Sequence, residues 1–134
     1  MNEIIEKFRK CVVQIATPYS SGTGFILAKD GFIVTNYHVI KNCEEAVVNG
    51  REFSKTRAKV LFTDPLLDVA FLESPVTQSE TGPVLSEGPV LEGDSVLAIG
   101  HPFGLKYTST SGIVSKTDRD YNGIKYFQID AAIN

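Results

Sequence analysis

Short apolar runs rich in β-branched and aromatic residues recur along most of this chain, with polar residues between them. Runs of this length and composition are typical of β-strands. The predicted strands cover residues 11–17, 24–28, 32–36, 46–49, 58–63, 68–73, 95–100, 108–116 and 125–130. Many short strands separated by turn residues predict an all-β fold, either a barrel or a sandwich.

The first residues follow a different period. Ile4, Ile5 and Phe8 are spaced as on one face of a helix, so we expect a short helix over residues 3–9 that leads into the first strand. Tight turns between strands are indicated by pairs such as Asn122-Gly123, which favour two-residue hairpin turns.

Residues 74–93, SPVTQSETGPVLSEGPVLEG, interrupt the series of strands. This stretch is rich in Pro, Ser, Thr, Gly and Glu, and it predicts a linker or long loop. After the helical residues 1–9, the linker separates a first lobe, residues 10–73 with six strands, from a second, residues 94–134 with three. We therefore expect a complete first lobe and a shorter second segment.

Composition fits a small globular protein. The chain has 134 residues, of which 43% are hydrophobic, and a net charge of −3 with its thirteen Lys and Arg scattered. No basic face for nucleic acid is predicted. No apolar run approaches the roughly 20 residues of a membrane span, and the first residues, MNEIIEKFRK, are too charged for a signal peptide.

The two cysteines, Cys11 and Cys43, are too few for a disulfide framework. We expect them to be small, partly buried apolar residues, while a disulfide in an oxidising compartment stays open. A zinc site that combined Cys43 with His38 would lack the paired Cys-x-x-Cys spacing. No metal or cofactor is therefore expected.

One histidine and one aspartate stand at positions suited to acid–base chemistry. His38 follows a predicted strand end in GFIVTNYHVIKN, and Asp68 begins the apolar strand of DPLLDVAFLE. A buried carboxylate needs a partner, and a histidine that donates from Nδ1 would leave Nε2 free as a base. The alternative from spacing alone is a capped surface histidine and a turn-forming aspartate.

Four blocks of the sequence resemble the HtrA (Deg) serine proteases, in the same order and at similar spacing. They are SGTGFILAKDGFIVTNYHVI at 21–40, DPLLDVAFLE at 64–73, LEGDSVLAIGHPFGLKYTSTSGIVS at 91–115 and FQIDAAIN at 127–134. The resemblance implies a trypsin-like double β-barrel, of which this chain would hold a complete first barrel of six strands and only part of the second. It also implies a serine endopeptidase, with His38 as general base and Asp68 as its orienting carboxylate.

The resemblance also implies that DAAIN continues as Pro-Gly-Asn-Ser-Gly-Gly, whereas this sequence stops at Asn134. The serine nucleophile and the oxyanion hole are thus expected outside this chain, and the chain alone is expected to be inactive. Substrates are expected to be extended or unfolded polypeptides. The compartment is open, although the family resemblance favours the periplasm or cell envelope.

Other interpretations stay open. The chain is alternatively a non-catalytic binding or regulatory module, or half of a split enzyme, and open strand edges favour a homo-oligomer or a strand-exchanged dimer. Gly22 and Gly24 are expected to permit close backbone approach within a strand, and His101 is a weak candidate for a second acid or base. The serines that we considered as substitute nucleophiles, none of them in a G-x-S-x-G elbow, are Ser20, Ser21, Ser109, Ser111 and Ser115.

Overall fold

The structure is a computed structural model, and it describes residues 2–27, 31–51, 53–76, 83, 85–100 and 108–133. Its elements are helices α1 (Asn2–Arg9) and α2 (Tyr37–Ile40), and strands β1 (Val12–Ala16), β2 (Ser21–Leu27), β3 (Phe32–Thr35), β4 (Glu45–Asn49), β5 (Thr56–Asp64), β6 (Val69–Glu73), β7 (Ser95–Gly100), β8 (Thr108–Tyr121) and β9 (Ile124–Ile129).

The first six strands close into a barrel in the order β1-β2-β3-β6-β5-β4, and every neighbouring pair with a described register is antiparallel. Alternation along the strands sets which side chains point inward, since successive side chains of a strand point to opposite faces. In β4, for example, Ala46 and Val48 are buried while Val47 is exposed.

The hydrophobic core lies inside this barrel. Its fully buried side chains come from several strands and from α2, and they include Val13, Ile15, Ile33, Ile40 and Leu72. Burial of a side chain of this size stabilises the fold by about 1.5–3 kcal/mol. The barrel is therefore the stable base on which the neighbouring loops are held.

The remaining strands form a separate sheet in the order β7-β8-β9. Strands β8 and β9 are joined by the turn Asn122-Gly123, in which both residues have positive φ angles of 54° and 81°. Two positive φ angles are the signature of the type I′ turn that suits a hairpin, which confirms the predicted turn.

The all-β prediction, with a closed six-stranded first barrel and a partial second one, is confirmed. The sequence pattern did not predict the helical turn α2, and it ended β8 at residue 116 although the strand runs to Tyr121. Within residues 74–93, positions 77–82 and 84 lie outside the described part of the chain, so the division into lobes at that stretch stays a prediction. In the described part of the chain, no helix has the length and apolar character needed to traverse a membrane.

Candidate active site

His38 is carried by the helical turn α2, directly after strand β3. Val39 and Ile40 of the same turn are buried in the barrel core, at 5% and 1% exposure, and they anchor the turn. The His38 side chain consequently points away from the core, and 69% of it is exposed. The His38 imidazole is therefore exposed at the surface, while the main chain that carries it is held by the buried residues of α2.

Asp68 lies one residue before β6, in the turn that joins β5 to β6. The prediction that it begins the strand as a buried carboxylate is wrong, since β6 starts at Val69 and the Asp68 side chain is 40% exposed. The physical reason is its left-handed backbone, with φ of 56°, which cannot continue a strand ladder. In the same turn Asp64 Oδ1 accepts the Leu67 N–H at 3.1 Å, which ties the loop before Asp68.

The Asp68 carboxylate holds His38 at two points. Its Oδ2 lies 2.7 Å from His38 Nδ1, and its Oδ1 accepts the His38 main-chain N–H at 2.8 Å. Partial burial raises the pKa of Asp68. Hydrogen bonds from the His38 side chain and main chain, the electrostatic attraction of His38 and a hydrogen bond from the Tyr37 main chain outweigh this effect, so the pKa lies below its ordinary 3.8. An ionised carboxylate only accepts, so Nδ1 carries the proton and Nε2 of the neutral ring is left with its lone pair.

Neighbouring polar groups hold this pair in place. Asn36 lies directly before the helical turn, and its Nδ2 donates to the main-chain carbonyl of Asp68 at 2.9 Å. This bond helps to hold Asp68 in its left-handed conformation. One residue earlier, the buried Thr35 donates from Oγ1 to the Thr23 carbonyl of β2, also at 2.9 Å. The end of β3 is thereby fixed to both neighbouring elements.

Gly22 allows the helical turn to approach the barrel wall. A Cβ on Gly22 would lie 2.6 Å from Val39 Cγ2, and one on Gly24 would lie 2.8 Å from the Val34 carbonyl oxygen. Both distances are shorter than real Cβ contacts. The Val34 neighbour of Gly24 is main chain, as predicted, whereas the Val39 neighbour of Gly22 is a side chain of α2.

His38 lines a cleft of about 550 Å³ that lies between the barrel and the second sheet. The barrel contributes Ser21 and Thr23 as well, while the opposite wall includes Thr110 of β8 and Ile133 of the last segment. The cleft lining thus combines polar residues, such as Thr23 and Thr110, with apolar ones, such as Ile133.

Of the five serines considered from sequence, only Ser21 is among the described residues that line the cleft. His101 lies outside the described residues. Neither Cys11, which is buried, nor Cys43 forms a disulfide in the part of the chain that the structure describes. Within the described ranges no three His, Cys, Asp or Glu side chains converge as metal ligands would.

Sequence reasoning missed Asn36 as part of this site. Its position directly after a strand and before a short helical turn is the usual place of a capping residue, and that signal was available. The structure instead gives no side-chain capping bond and sends the amide to Asp68. Only the fold reveals that partner, because Asp68 lies 32 positions later in the chain.

Comparisons with known proteins identify the family of this chain. The family model of the trypsin-like peptidase domain matches residues 22–134. Two curated relatives, each named "Probable periplasmic serine endoprotease DegP-like", come from Pseudomonas fulva (strain 12-X) and Hahella chejuensis (strain KCTC 2396). They are 39% and 40% identical to this chain over 118 and 121 residues, and each match covers 86% of this chain.

A solved structure, the serine endoprotease from Yersinia pestis, matches 99% of this chain with a TM-score of 0.85 and 32% sequence identity. The match covers 49% of that chain, and the matches to the two curated relatives cover only 25% of their length. The family match extends over most of the sequence, residues 22–134, and this range includes His38 and Asp68. This chain therefore belongs to the trypsin-like peptidase domain family, in which its relatives are DegP-like serine endoproteases.

Proposed function

We propose that this chain carries the general base and the orienting carboxylate of a serine endopeptidase. The observation that supports this most directly is the double hold of Asp68 on His38, with 2.7 Å between Oδ2 and Nδ1 and 2.8 Å between Oδ1 and the main-chain nitrogen. A base held in one tautomer at the wall of a cleft is what acyl transfer to a serine requires.

The proposed mechanism follows from that arrangement. A serine hydroxyl attacks the carbonyl carbon of a peptide bond while His38 Nε2 accepts its proton. The Asp68 carboxylate stabilises the imidazolium that forms, and His38 then gives the proton to the departing amine. Water, deprotonated by the same nitrogen, releases the acyl group from the serine. None of these steps calls for a metal or an organic cofactor.

The nucleophile in this proposal follows Asn134. By family resemblance, DAAIN leads into Pro-Gly-Asn-Ser-Gly-Gly, which also supplies main-chain donors for the oxyanion. Ser21 of the cleft sits in strand β2 and in no G-x-S-x-G elbow, so it is not the proposed nucleophile. We expect residues 1–134 alone not to hydrolyse peptides, since the loss of even one oxyanion donor costs roughly 10²–10³ in rate.

The proposed substrates are extended or unfolded polypeptides, which fit the open cleft between the two sheets. We propose a periplasmic location for the whole protein, because the DegP-like relatives are named as periplasmic. The roles of His38 and Asp68, the substrate class and the location are all parts of this one proposal.

A second candidate is a split enzyme or a strand-exchanged oligomer. It is favoured by the sheet β7-β8-β9, whose edge strands β7 and β9 each pair with β8 alone among the described residues. Unpaired strand edges can accept a strand from a further segment or another chain. We also propose that residues 74–93 divide the chain into its two lobes.

The test starts with the gene, read in frame beyond codon 134. The complete open reading frame is then expressed and assayed for casein hydrolysis and for covalent labelling by a fluorophosphonate. We expect activity and labelling, with a loss of about 10⁶ in kcat for His38→Ala and about 10⁴ for Asp68→Asn.

Asp64→Asn is the matched control, because Asp64 caps a main-chain N–H in the same turn but is not bonded to His38. It should retain activity within a few-fold. A stop codon after Asn134 with no labelling would leave the split-enzyme candidate, and labelling that persists in His38→Ala would refute the role given to His38.

A further inference from the structure

The chain leaves the second sheet through an unusual exchange of hydrogen bonds at Asp130, directly after β9. The Asp130 N–H donates to the Ile113 carbonyl at 3.2 Å, as in an antiparallel ladder. The Ile113 N–H, however, donates to Asp130 Oδ1 at 2.7 Å. In a regular hydrogen-bonded pair the main-chain carbonyl of the opposite residue would accept this bond.

The carboxylate thus takes the place of a main-chain acceptor. Ile113 keeps a hydrogen-bonded N–H, while the main chain after Asp130 is free to leave β8. The next residue, Ala131, turns inward and is buried at 7% exposure. If the Asp130 side chain pointed into solvent instead, the departure of the main chain from β8 would leave the Ile113 N–H without an acceptor.

Gly112 makes room for this departure. A Cβ on Gly112 would lie 2.6 Å from the Ala131 nitrogen and 2.9 Å from its Cα, and closer still to Asp130 Oδ1. Two of these three atoms belong to the main chain, which cannot rotate aside as a flexible side chain can. The close crossing of residues 130 and 131 over β8 therefore requires glycine at position 112.

A second bond then directs the segment into the cleft. Thr110 Oγ1 donates to the Ala132 carbonyl at 2.6 Å, and Thr110, Ala132 and Ile133 all line the cleft together with His38. The last described residues are consequently held against one cleft wall by two side chain to main chain bonds.

We propose that Asp130 is a positioning residue. Its carboxylate, seated over Gly112, sets the point at which the chain enters the cleft and therefore where the residues after Ile133 lie relative to His38. The inference rests on the proposed function, in which those residues lead to the nucleophile. Two substitutions separate the hydrogen bond from the charge: Asp130→Asn keeps an Oδ1 acceptor for the Ile113 N–H, whereas Asp130→Ala removes it.

The test compares Asp130→Ala with Asp130→Asn, with Asp120→Ala as matched control. Asp120 also accepts a main-chain N–H, from Gly123 at 3.1 Å, but it does so at the hairpin turn of β8 and β9. Amide exchange and chemical shifts are followed by NMR in the chain of residues 1–134, and kcat and KM in the protein from the complete reading frame.

We expect Asp130→Ala to speed exchange of the Ile113 amide about tenfold and to shift the resonances of residues 131–133. In the active protein it should lower kcat about tenfold or more at nearly constant KM. Asp130→Asn should restore both properties, and Asp120→Ala should change neither. If Asp130→Ala does not fold, Gly112→Ala takes its place in the test. Its added methyl displaces Ala131 directly, so it should produce the same chemical-shift changes and the same loss of kcat.

Unchanged Ile113 exchange in Asp130→Ala overturns the proposed bond exchange. Normal Ile113 exchange in Asp130→Asn but a kcat as low as that of Asp130→Ala overturns the positioning role. A wild-type protein without peptidase activity refutes the proposed function alone, since the exchange and the shifts of residues 131–133 still decide whether Asp130 places this segment.

Discussion

Asp68 joins two loops of the barrel through its side chain and its main chain at once. Its left-handed backbone costs roughly 1–2 kcal/mol relative to an ordinary conformation, although Asp tolerates it better than most residues. The carboxylate bonds to His38 and the Asn36 bond to its carbonyl offset that cost. The local conformation and the pairing with histidine therefore depend on each other.

The lowered pKa of Asp68 predicts how stability depends on pH. A carboxyl whose pKa is lower in the folded state stabilises the fold fully above its unfolded pKa of about 3.8, and this contribution is lost as pH falls through the folded-state value. The difference in unfolding free energy between the wild type and Asp68→Asn, measured by urea denaturation, should thus shrink as pH falls from neutral to about 2. A difference that stays constant over this range would refute the coupling.

Asn36 should support the pair from outside it. Asn36→Ala removes the donor to the Asp68 carbonyl and should destabilise the protein by about 1 kcal/mol. Asn36→Asp should cost more, because it lacks the donor and adds a second negative charge near Asp68. Thermal unfolding of the three proteins checks the order, and equal melting temperatures would contradict it.

At this scale, the sequence predicted the pair and not its support. His38 and Asp68 could be predicted because their residue types have a distinct chemistry and stand in blocks that resemble a known family. The role of Asn36 depends on the positive φ of Asp68, which no local pattern of the sequence reveals. The carboxylate of Asp130 was likewise invisible, since its bond to Ile113 exists only once β8 and β9 have paired.

At the scale of elements, alternation of apolar residues predicted most strands well. It could not predict α2, because the four residues YHVI contain the aromatic and β-branched types that also favour strands. The end of β8 was missed for the opposite reason. Its last residues, TDRDY, show no apolar pattern, and they form a strand through pairing with β9.

The packing of α2 on β2 predicts a specific intolerance at Gly22. Gly22→Ala would place its methyl 2.6 Å from Val39 Cγ2, and we expect a loss of about 1–3 kcal/mol from overpacking. Val39→Ala in the same protein should recover part of that loss, so the two changes should be non-additive. Chemical denaturation of the single and double variants measures the coupling.

Gly88→Ala is the control for this series, because a Cβ there would meet nothing within 4 Å and its φ is not positive. It should change stability by no more than about 0.5 kcal/mol. A Gly22→Ala protein as stable as this control would show that α2 can move away from the barrel at little cost.

At the scale of the whole molecule, the two sheets differ in how much they bury. The described core cluster lies within the barrel and α2, whereas in the second sheet Val114 is the buried strand residue. Several large side chains of that sheet stay exposed, and Tyr121 and Phe127 are 67% and 59% exposed. Local stability follows buried contacts, so the barrel should be the more stable part.

Hydrogen exchange read by mass spectrometry should show this difference. We expect amides of β1 to β6 to exchange only through global opening and those of β7 to β9 to exchange faster, through local opening. If the second sheet gains strands from another copy, its protection should rise with protein concentration. The predicted lower stability of the second sheet would be contradicted if light scattering showed a monomer and the amides of this sheet were as well protected as those of the barrel at every concentration.

The bond from Asp68 Oδ1 to the main-chain N–H of His38 has a practical consequence. Because that bond does not involve the imidazole, removal of the ring by His38→Ala leaves the carboxylate still attached to the turn that carried it. Under the proposed function, the complete protein with this substitution would keep the walls of its cleft and lose its peptidase activity. Such a variant is suited as bait, since a polypeptide that enters the cleft would remain intact and could be recovered and identified.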